Sequence, residues 1–356
     1  MSTDPTGSGT VARVVPRPEE ITRPVDVPVT REHGLSGRLL PGTELRLEAR
    51  VGKGASGEVY RATSGHAGPP LAVKVLCHRS TGSVRLRFHR EVEILRQIDS
   101  PYVVKVVADG VLPDGRPWYA MEYIDGESLA AKLEATGRCE PAAVIAWIRG
   151  ACRGLAAIHD AGWVHRDVKP ANIIVLGEGA VDDVRIVDLG IAERIHSEPD
   201  LLSGTPEYIA PEQAEFRPVD VRSDVYALGC CAYELLTGRR LVEGRSAVAK
   251  INAHIEGVRP SWPNHPPIHP RLRRLVERCL ARHPEARPPN VYVLEEELRR
   301  LVPGLARKAE PRRPSALAPR RGVWRHLARG LAALLGPRRR RAEGPEVPIM
   351  ARARAG

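Results

Sequence analysis

Apolar positions fall in short, strand-like groups in the first part of the chain. Leu45 and Leu47, then Val59 and Tyr60, stand on either side of a glycine-rich segment, and no helical pattern follows it. Leu71-Ala72-Val73-Lys74-Val75 is a β-rich run with a lysine inside it. The stretch Arg85–Ile98 predicts a helix, with Glu91 and Leu95 one turn apart on one face. Further on, the positions from Asp224 to Leu236 are apolar on all faces, the pattern of a core helix. At about a dozen residues this helix is too short to span a bilayer. Residues 1–43 are rich in Pro, Gly, Thr and Arg with little periodicity and predict a disordered arm. After residue 302 one more periodic stretch occurs. Trp324, Leu327, Leu331, Leu334 and Leu335 recur at helical spacing, with Arg325, His326 and Arg329 on the other side.

Composition changes this picture in two places. The chain of 356 residues has only seven lysines, so a lysine inside the apolar run at Lys74 is not compositional noise. The formal net charge of +11 lies wholly in the segment from Pro303 to Gly356, which carries 14 Lys+Arg against 3 Asp+Glu. The basic balance therefore says nothing about the region before it.

The polar residues concentrate chemistry at a few points. His165-Arg166-Asp167-Val168-Lys169-Pro170-Ala171-Asn172 packs a carboxylate, a lysine and an amide into one short stretch, and Asp188-Leu189-Gly190 follows. That set suits phosphoryl transfer, in which catalysis is mostly positioning and charge neutralisation. Asp167 can accept a proton from an attacking hydroxyl, and Lys169 can neutralise the phosphoryl group in flight. Asn172 and Asp188 offer hard oxygen ligands suited to Mg²⁺. Val51-Gly52-Lys53-Gly54-Ala55-Ser56-Gly57-Glu58-Val59 is a G-x-G-x-x-G-x-V loop whose backbone N–H groups can approach phosphates. Dinucleotide folds use the same glycine spacing, but the missing helix after it counts against them. Lys74 has its expected partner in Glu91, with Glu93 as the alternative.

These motifs resemble, in order and over roughly 260 residues, the eukaryotic-like (Hanks-type) serine/threonine protein kinases of bacteria. Gly204-Thr205-Pro206-Glu207-Tyr208-Ile209-Ala210-Pro211-Glu212 is similar to their P+1 loop and A-P-E motif, a segment that small-molecule kinases of related fold lack. The resemblance implies an α+β, bilobal fold over 44–302. The small lobe, about 44–120, would be an antiparallel sheet with one helix; the larger, about 125–302, would be mainly α. ATP would lie between them, under Val51–Gly57 and within Val59, Ala72 and Ile174. Met121 would be the gatekeeper, and the backbone of Glu122 and Ile124 would meet adenine. Lys74, held by Glu91, would orient the phosphates, with Mg²⁺ (or Mn²⁺) on Asn172 and Asp188. Thr205 would fix Asp167 and Lys169. The resemblance also gives Asp224 the role of holding the catalytic-loop backbone and pairs Arg287 with Glu212. It makes His165 a buried packing residue against Leu189, where most relatives have an aromatic. Ile191, β-branched, favours threonine acceptors. Arg166 is expected to grip a phosphorylated segment, with Ser197 or Ser203 docking on Arg166 and Arg194. In the rival expectation, Glu198 and Asp200 supply the negative charge instead. A nucleotide-binding pseudokinase scaffold is the alternative function, with Leu189 as its one support.

Protein substrates with Ser or Thr acceptors follow from the resemblance, and Glu127 and Glu234 suggest a weak preference for basic ones. The six cysteines show no metal-ligand spacing and are expected to be buried free thiols in a reducing cytosol. Met1-Ser2-Thr3-Asp4 opens no signal peptide, so a cytoplasmic location is expected. The basic tail could lie on an anionic membrane surface through a short amphipathic helix at 323–335, against the plainer reading of an unfolded tail. Nucleic-acid binding ranks last, because no aromatic residues interleave the arginines.

Overall fold

The computed structural model describes residues 34–301, apart from 55–56, 66–67, 78–79, 178–179, 181–182, 198–201 and 265–267. By their contacts the residues form two units, 1–35 and 36–356, and every element below belongs to the second. The arm and the basic tail of the sequence analysis lie outside the described residues, apart from 34–43, of which 36–43 pack onto the first strand. Leu40 is fully buried, and Leu39 bridges Arg46. Local periodicity missed this segment because its order comes from two turns at Gly37 and Gly42, both with positive φ.

The small lobe is a five-stranded antiparallel sheet. Its strands are β1 (Leu45–Lys53), β2 (Gly57–Ser64) and β3 (Leu71–Leu76), then, after the helix α1 (Gly82–Gln97), β4 (Val106–Val111) and β5 (Pro117–Glu122), in the order β1-β2-β3-β5-β4. The central strand β3 is buried at every position, which explains why it reads as a continuous apolar run. Lys74 is carried into this interior. The register sets Val59 beside Lys74 and Ala72 beside Met121. At Gly57 the β2 backbone runs so close to β3 that a Cβ would strike the Val75 carbonyl.

The larger lobe follows with β6 (Gly126–Ser128), α2 (Leu129–Thr136), α3 (Pro141–Asp160), β7 (Trp163–Val164), β8 (Ile173–Leu176), β9 (Val184–Ile186) and β10 (Glu193–Arg194). It closes with α4 (Pro211–Ala214), α5 (Val221–Thr237), α6 (Ala247–Glu256), α7 (Pro270–Cys279) and α8 (Val291–Leu301). The α+β, two-lobed architecture expected from the sequence is present. α3 is long and apolar enough to match a membrane span by composition, but its apolar residues are taken up by the core against α5 and α8. α5 is buried from Ser223 to Leu236. Asp220 caps its start, accepting the Arg222 amide at 2.7 Å, and Gly238 ends it in the left-handed conformation. All six cysteines are free thiols, and all but Cys77 are buried.

One buried group gives the fold an acid sensitivity. His254 on α6 has no exposure, and the Tyr226 hydroxyl lies 2.7 Å from its Nδ1. Burial lowers its pKa from 6.5 to about 4. Between those values the unfolded chain takes up a proton that the folded one refuses, so stability falls as pH falls through this window. The expected loss from this residue is roughly 3 kcal/mol, at about 1.4 kcal/mol per pH unit. Urea unfolding of the wild type and of His254→Asn at pH 7 and pH 4 checks it. The variant is expected to lose less stability on acidification, and equal losses would remove the histidine from the account.

Candidate active site

The catalytic-loop residues are held from below by α5. Asp224, with no exposure, accepts the His165 amide on Oδ2 and the Arg166 amide on Oδ1, each at 2.9 Å, and meets His159 Nε2 at 2.8 Å. Burial opposes its charge, but these hydrogen bonds keep its carboxyl below the usual carboxylate range. They also explain how Arg166 is kept at φ 68°, and Asp188 sits at φ 67°. Such left-handed backbones cost about 1–3 kcal/mol each and persist only where surrounding structure over-determines them.

Three side chains converge above this support. Thr205 donates to Asp167 Oδ1 at 2.7 Å, and Lys169 Nζ donates to Asp167 Oδ2 at 2.6 Å and to Thr205 Oγ1 at 2.9 Å. Asn172 gives its amide hydrogens to the Asp167 backbone carbonyl at 3.0 Å, which leaves its carbonyl oxygen as the end available to a cation. The catalytic loop and the segment after Asp188-Leu189-Gly190 are thereby joined through one hydroxyl.

The second cluster spans the lobes. Lys74 Nζ lies 2.9 Å from both Glu91 oxygens and 3.0 Å from Asp188 Oδ1. Tyr119 also donates to Glu91, at 2.9 Å, whereas Glu93 faces solvent. Burial works against the Lys74 charge, but Asp188 and Glu91 raise its pKa well above the lysine range. Lys74 in turn holds the Asp188 carboxyl far below the usual range. Burial pushes Glu91 upward against the pull of Lys74. The cluster sets one cation against two carboxylates, and the Asp188 side chain keeps 39% of its surface open toward the cleft. A hard divalent cation on Asp188 and the Asn172 oxygen would offset that excess, so the residues present fit such an ion.

Around the expected adenine position the structure sets partly exposed apolar side chains: Val59, Met121, Ile124 and Ile174, with Ala72 buried behind them. The Glu122 amide is already bonded to the Lys105 carbonyl at 3.0 Å, so only its carbonyl could meet the base. The Ile124 amide makes no backbone bond among the described residues. Val51 is half exposed, Gly52 and Lys53 end β1 opposite Val59 and Glu58, and the Gly54 amide donates to the Gly57 carbonyl at 2.8 Å; Ala55 and Ser56 lie outside the described residues.

The chain matches the family model for the protein kinase domain over residues 45–316. It belongs to the protein kinase family. Among curated relatives it is 33% identical over 266 residues to the serine/threonine-protein kinase pkn3 of Myxococcus xanthus, covering 71% of this chain and 49% of that protein. It is 36% identical over 267 residues to the serine/threonine-protein kinase PkaA of Streptomyces coelicolor, covering 69% and 48%. With the serine/threonine-protein kinase PknB of Mycolicibacterium smegmatis it shares 36% over 249 residues, covering 67% and 39%. The chain spans half or less of the length of these relatives, and they make it a bacterial, Hanks-type member. The family uses ATP with a divalent metal.

As a kinase domain, the chain departs from the expected activation segment. Arg166 is buried and faces Glu193 at 3.6 Å, not an open anion site. Arg194, expected to share a docking role with it, is stacked 4.0 Å above the Trp163 ring. Consecutive strand residues point to opposite faces, so Arg194 lies on the face of β10 away from Glu193 and its Arg166 contact. The Ser197 hydroxyl is buried without a partner among the described residues. Glu198 and Asp200 lie outside the description. Glu234, expected to attract basic substrates, is instead buried and accepts from Tyr208, with Arg240 3.5 Å away; Glu127 remains exposed beside Lys132. Sequence reasoning missed Gln213, which is buried and donates to the Arg166 carbonyl at 3.1 Å. Nothing local marks it.

Proposed function

We propose that this chain transfers the γ-phosphoryl group of ATP to serine and threonine hydroxyls of proteins. The observation that carries the reading is the Thr205–Asp167–Lys169 triangle, because it couples the base, the cation and the substrate-facing loop within hydrogen-bond distance. In this reading Asp167 orients the acceptor hydroxyl and takes its proton. Lys169 neutralises charge on the moving phosphoryl group. Lys74, braced by Glu91, holds the α- and β-phosphates beneath the glycine-rich segment that links β1 to β2. Asn172 and Asp188 would hold Mg²⁺, which supplies neutralisation of the phosphate oxygens when bound. The work would take place in the cytoplasm, with protein substrates as partners.

Incorporation of γ-labelled phosphate by the purified chain with Mg²⁺-ATP tests the activity; binding of ATP with no labelling of any protein acceptor would count against it. Ile191, directly after Asp-Leu-Gly, carries a further expectation. Of two peptides differing only in the acceptor, the threonine one is expected to turn over faster by a few-fold, on the order of 1 kcal/mol in the barrier. Faster serine turnover would sink that preference.

A further inference from the structure

Glu193 makes a contact that the transfer reaction does not explain. Its Oε1 lies 3.6 Å from Arg166 Nη1 and 3.1 Å from Arg90 Nη1. One carboxylate oxygen thus joins the catalytic loop to α1 through β10. Arg90 directly precedes Glu91, the residue that grips Lys74. Neighbouring helix residues stand about 100° apart, so Arg90 reaches outward from α1 while Glu91 reaches into the cleft. A swing of α1 away from the sheet would part Arg90 from Glu193 and Glu91 from Lys74.

The Arg166 side chain is only 3% exposed, and its Nε has no hydrogen-bond partner among the described residues. Burial weakens its charged state, and Glu193 and Asp224 oppose that loss. A buried guanidinium needs a counter-charge, and the chain supplies one at Glu193. The serine nearest to it in sequence is poorly placed to compete. The Ser197 hydroxyl is buried, its amide bonds the Arg194 carbonyl at 3.1 Å, and its carbonyl accepts the Val219 amide at 3.2 Å.

We propose that Glu193 is a positioning residue that, through Arg90 and Arg166, keeps α1 and its Glu91 in the transfer-competent place without phosphorylation of Ser197 or Ser203. The inference rests on the kinase reading for its consequence, but not for its geometry. An exposed ion pair alone would be worth little. Here one partner is buried and the other is fastened to the helix that carries Glu91, so the coupling acts on the site and not only on stability.

The test uses the full chain with Glu193→Gln, Arg90→Gln, both together, and Ser197→Ala/Ser203→Ala. Two quantities are read: hydrogen exchange across residues 82–97 and phosphate transfer to a peptide. Glu193→Gln and Arg90→Gln are each expected to speed exchange in α1 about tenfold and to lower kcat about tenfold, with the peptide KM changed by less than about twofold. The double variant is expected to be no worse than Glu193→Gln alone, because that substitution already removes the contact that Arg90 makes. The serine variant is expected to match the wild type in both readouts. Unchanged α1 exchange in Glu193→Gln would overturn the proposal, as would a serine variant that loses as much as Glu193→Gln. If the wild type transfers no phosphate yet Glu193→Gln speeds α1 exchange, the kinase reading fails and the positioning role stands.

Discussion

Asp167→Asn is expected to lower kcat for phosphate transfer by about 10²–10⁴-fold, the range for loss of a positioned general base. That is about 3–5 kcal/mol of transition-state stabilisation. The substitution keeps the shape, and the asparagine oxygen can still accept the Thr205 hydroxyl that now lies at 2.7 Å. What changes is the other atom. An amide NH₂ would face Lys169 Nζ, now 2.6 Å from the carboxylate, so donor would meet donor and the lysine would be displaced. Base and neutralising cation are therefore lost together. ATP affinity should change little, because Lys74, Glu91 and Asp188 are untouched. Single-turnover transfer measured beside ATP-dependent thermal stabilisation separates the two effects. A variant that transfers at the wild-type rate would remove Asp167 from the mechanism.

The second large effect concerns stability. Arg287→Met is expected to lower the unfolding free energy by about 3–5 kcal/mol, the usual cost of breaking a buried ion pair from one side. Arg287 makes two bonds to Glu212, at 2.7 and 2.8 Å, and both side chains are almost wholly buried. It also donates to the carbonyls of Arg222, Ala281 and Arg282, and stacks 4.8 Å from the Tyr226 ring. Methionine replaces none of these donors, so a carboxylate and three carbonyls lose a partner in a dry interior. Glu212 accepts from Ser223 at 2.6 Å, which offsets part of the cost. Arg287→Met/Glu212→Leu is expected to recover some of the loss, since no charge is then left unpaired. Guanidinium unfolding of all three proteins decides it; a single variant within about 1 kcal/mol of the wild type would contradict the account. Activity should fall as well, because Glu212 lies in the first turn of α4, just beyond the Thr205 loop.

Much of the small lobe and of the site can be read from local sequence. A strand buried on both faces reads as an apolar run, so Lys74 stands out inside it. The helical spacing of Glu91 and Leu95 tells which face meets the sheet, and it selects Glu91 over the exposed Glu93. In the catalytic loop, Asp167, Lys169 and Asn172 lie within six positions, so their proximity follows from chain connectivity alone. Thr205 is different: its motif is legible, but its contact with Asp167 spans 38 positions and is made only by the folded chain. The order of residues 36–43 was hidden for a related reason, since two glycine turns and packing on β1 produce it without any period.

By itself, then, the sequence determined the local elements and the identity of the chemical groups, because these depend on periodicity and on residues close together in the chain, while the protein kinase family and its α+β two-lobed fold came from the resemblance that the ordered motifs carry. Only the tertiary structure decided how the arginines and acids pair. It set Glu193 between Arg166 and Arg90, turned Arg194 onto Trp163 and closed Glu234 off behind Tyr208. Charge pairing depends on distance in space and on burial, and neither leaves a local mark when the partners are dozens of positions apart.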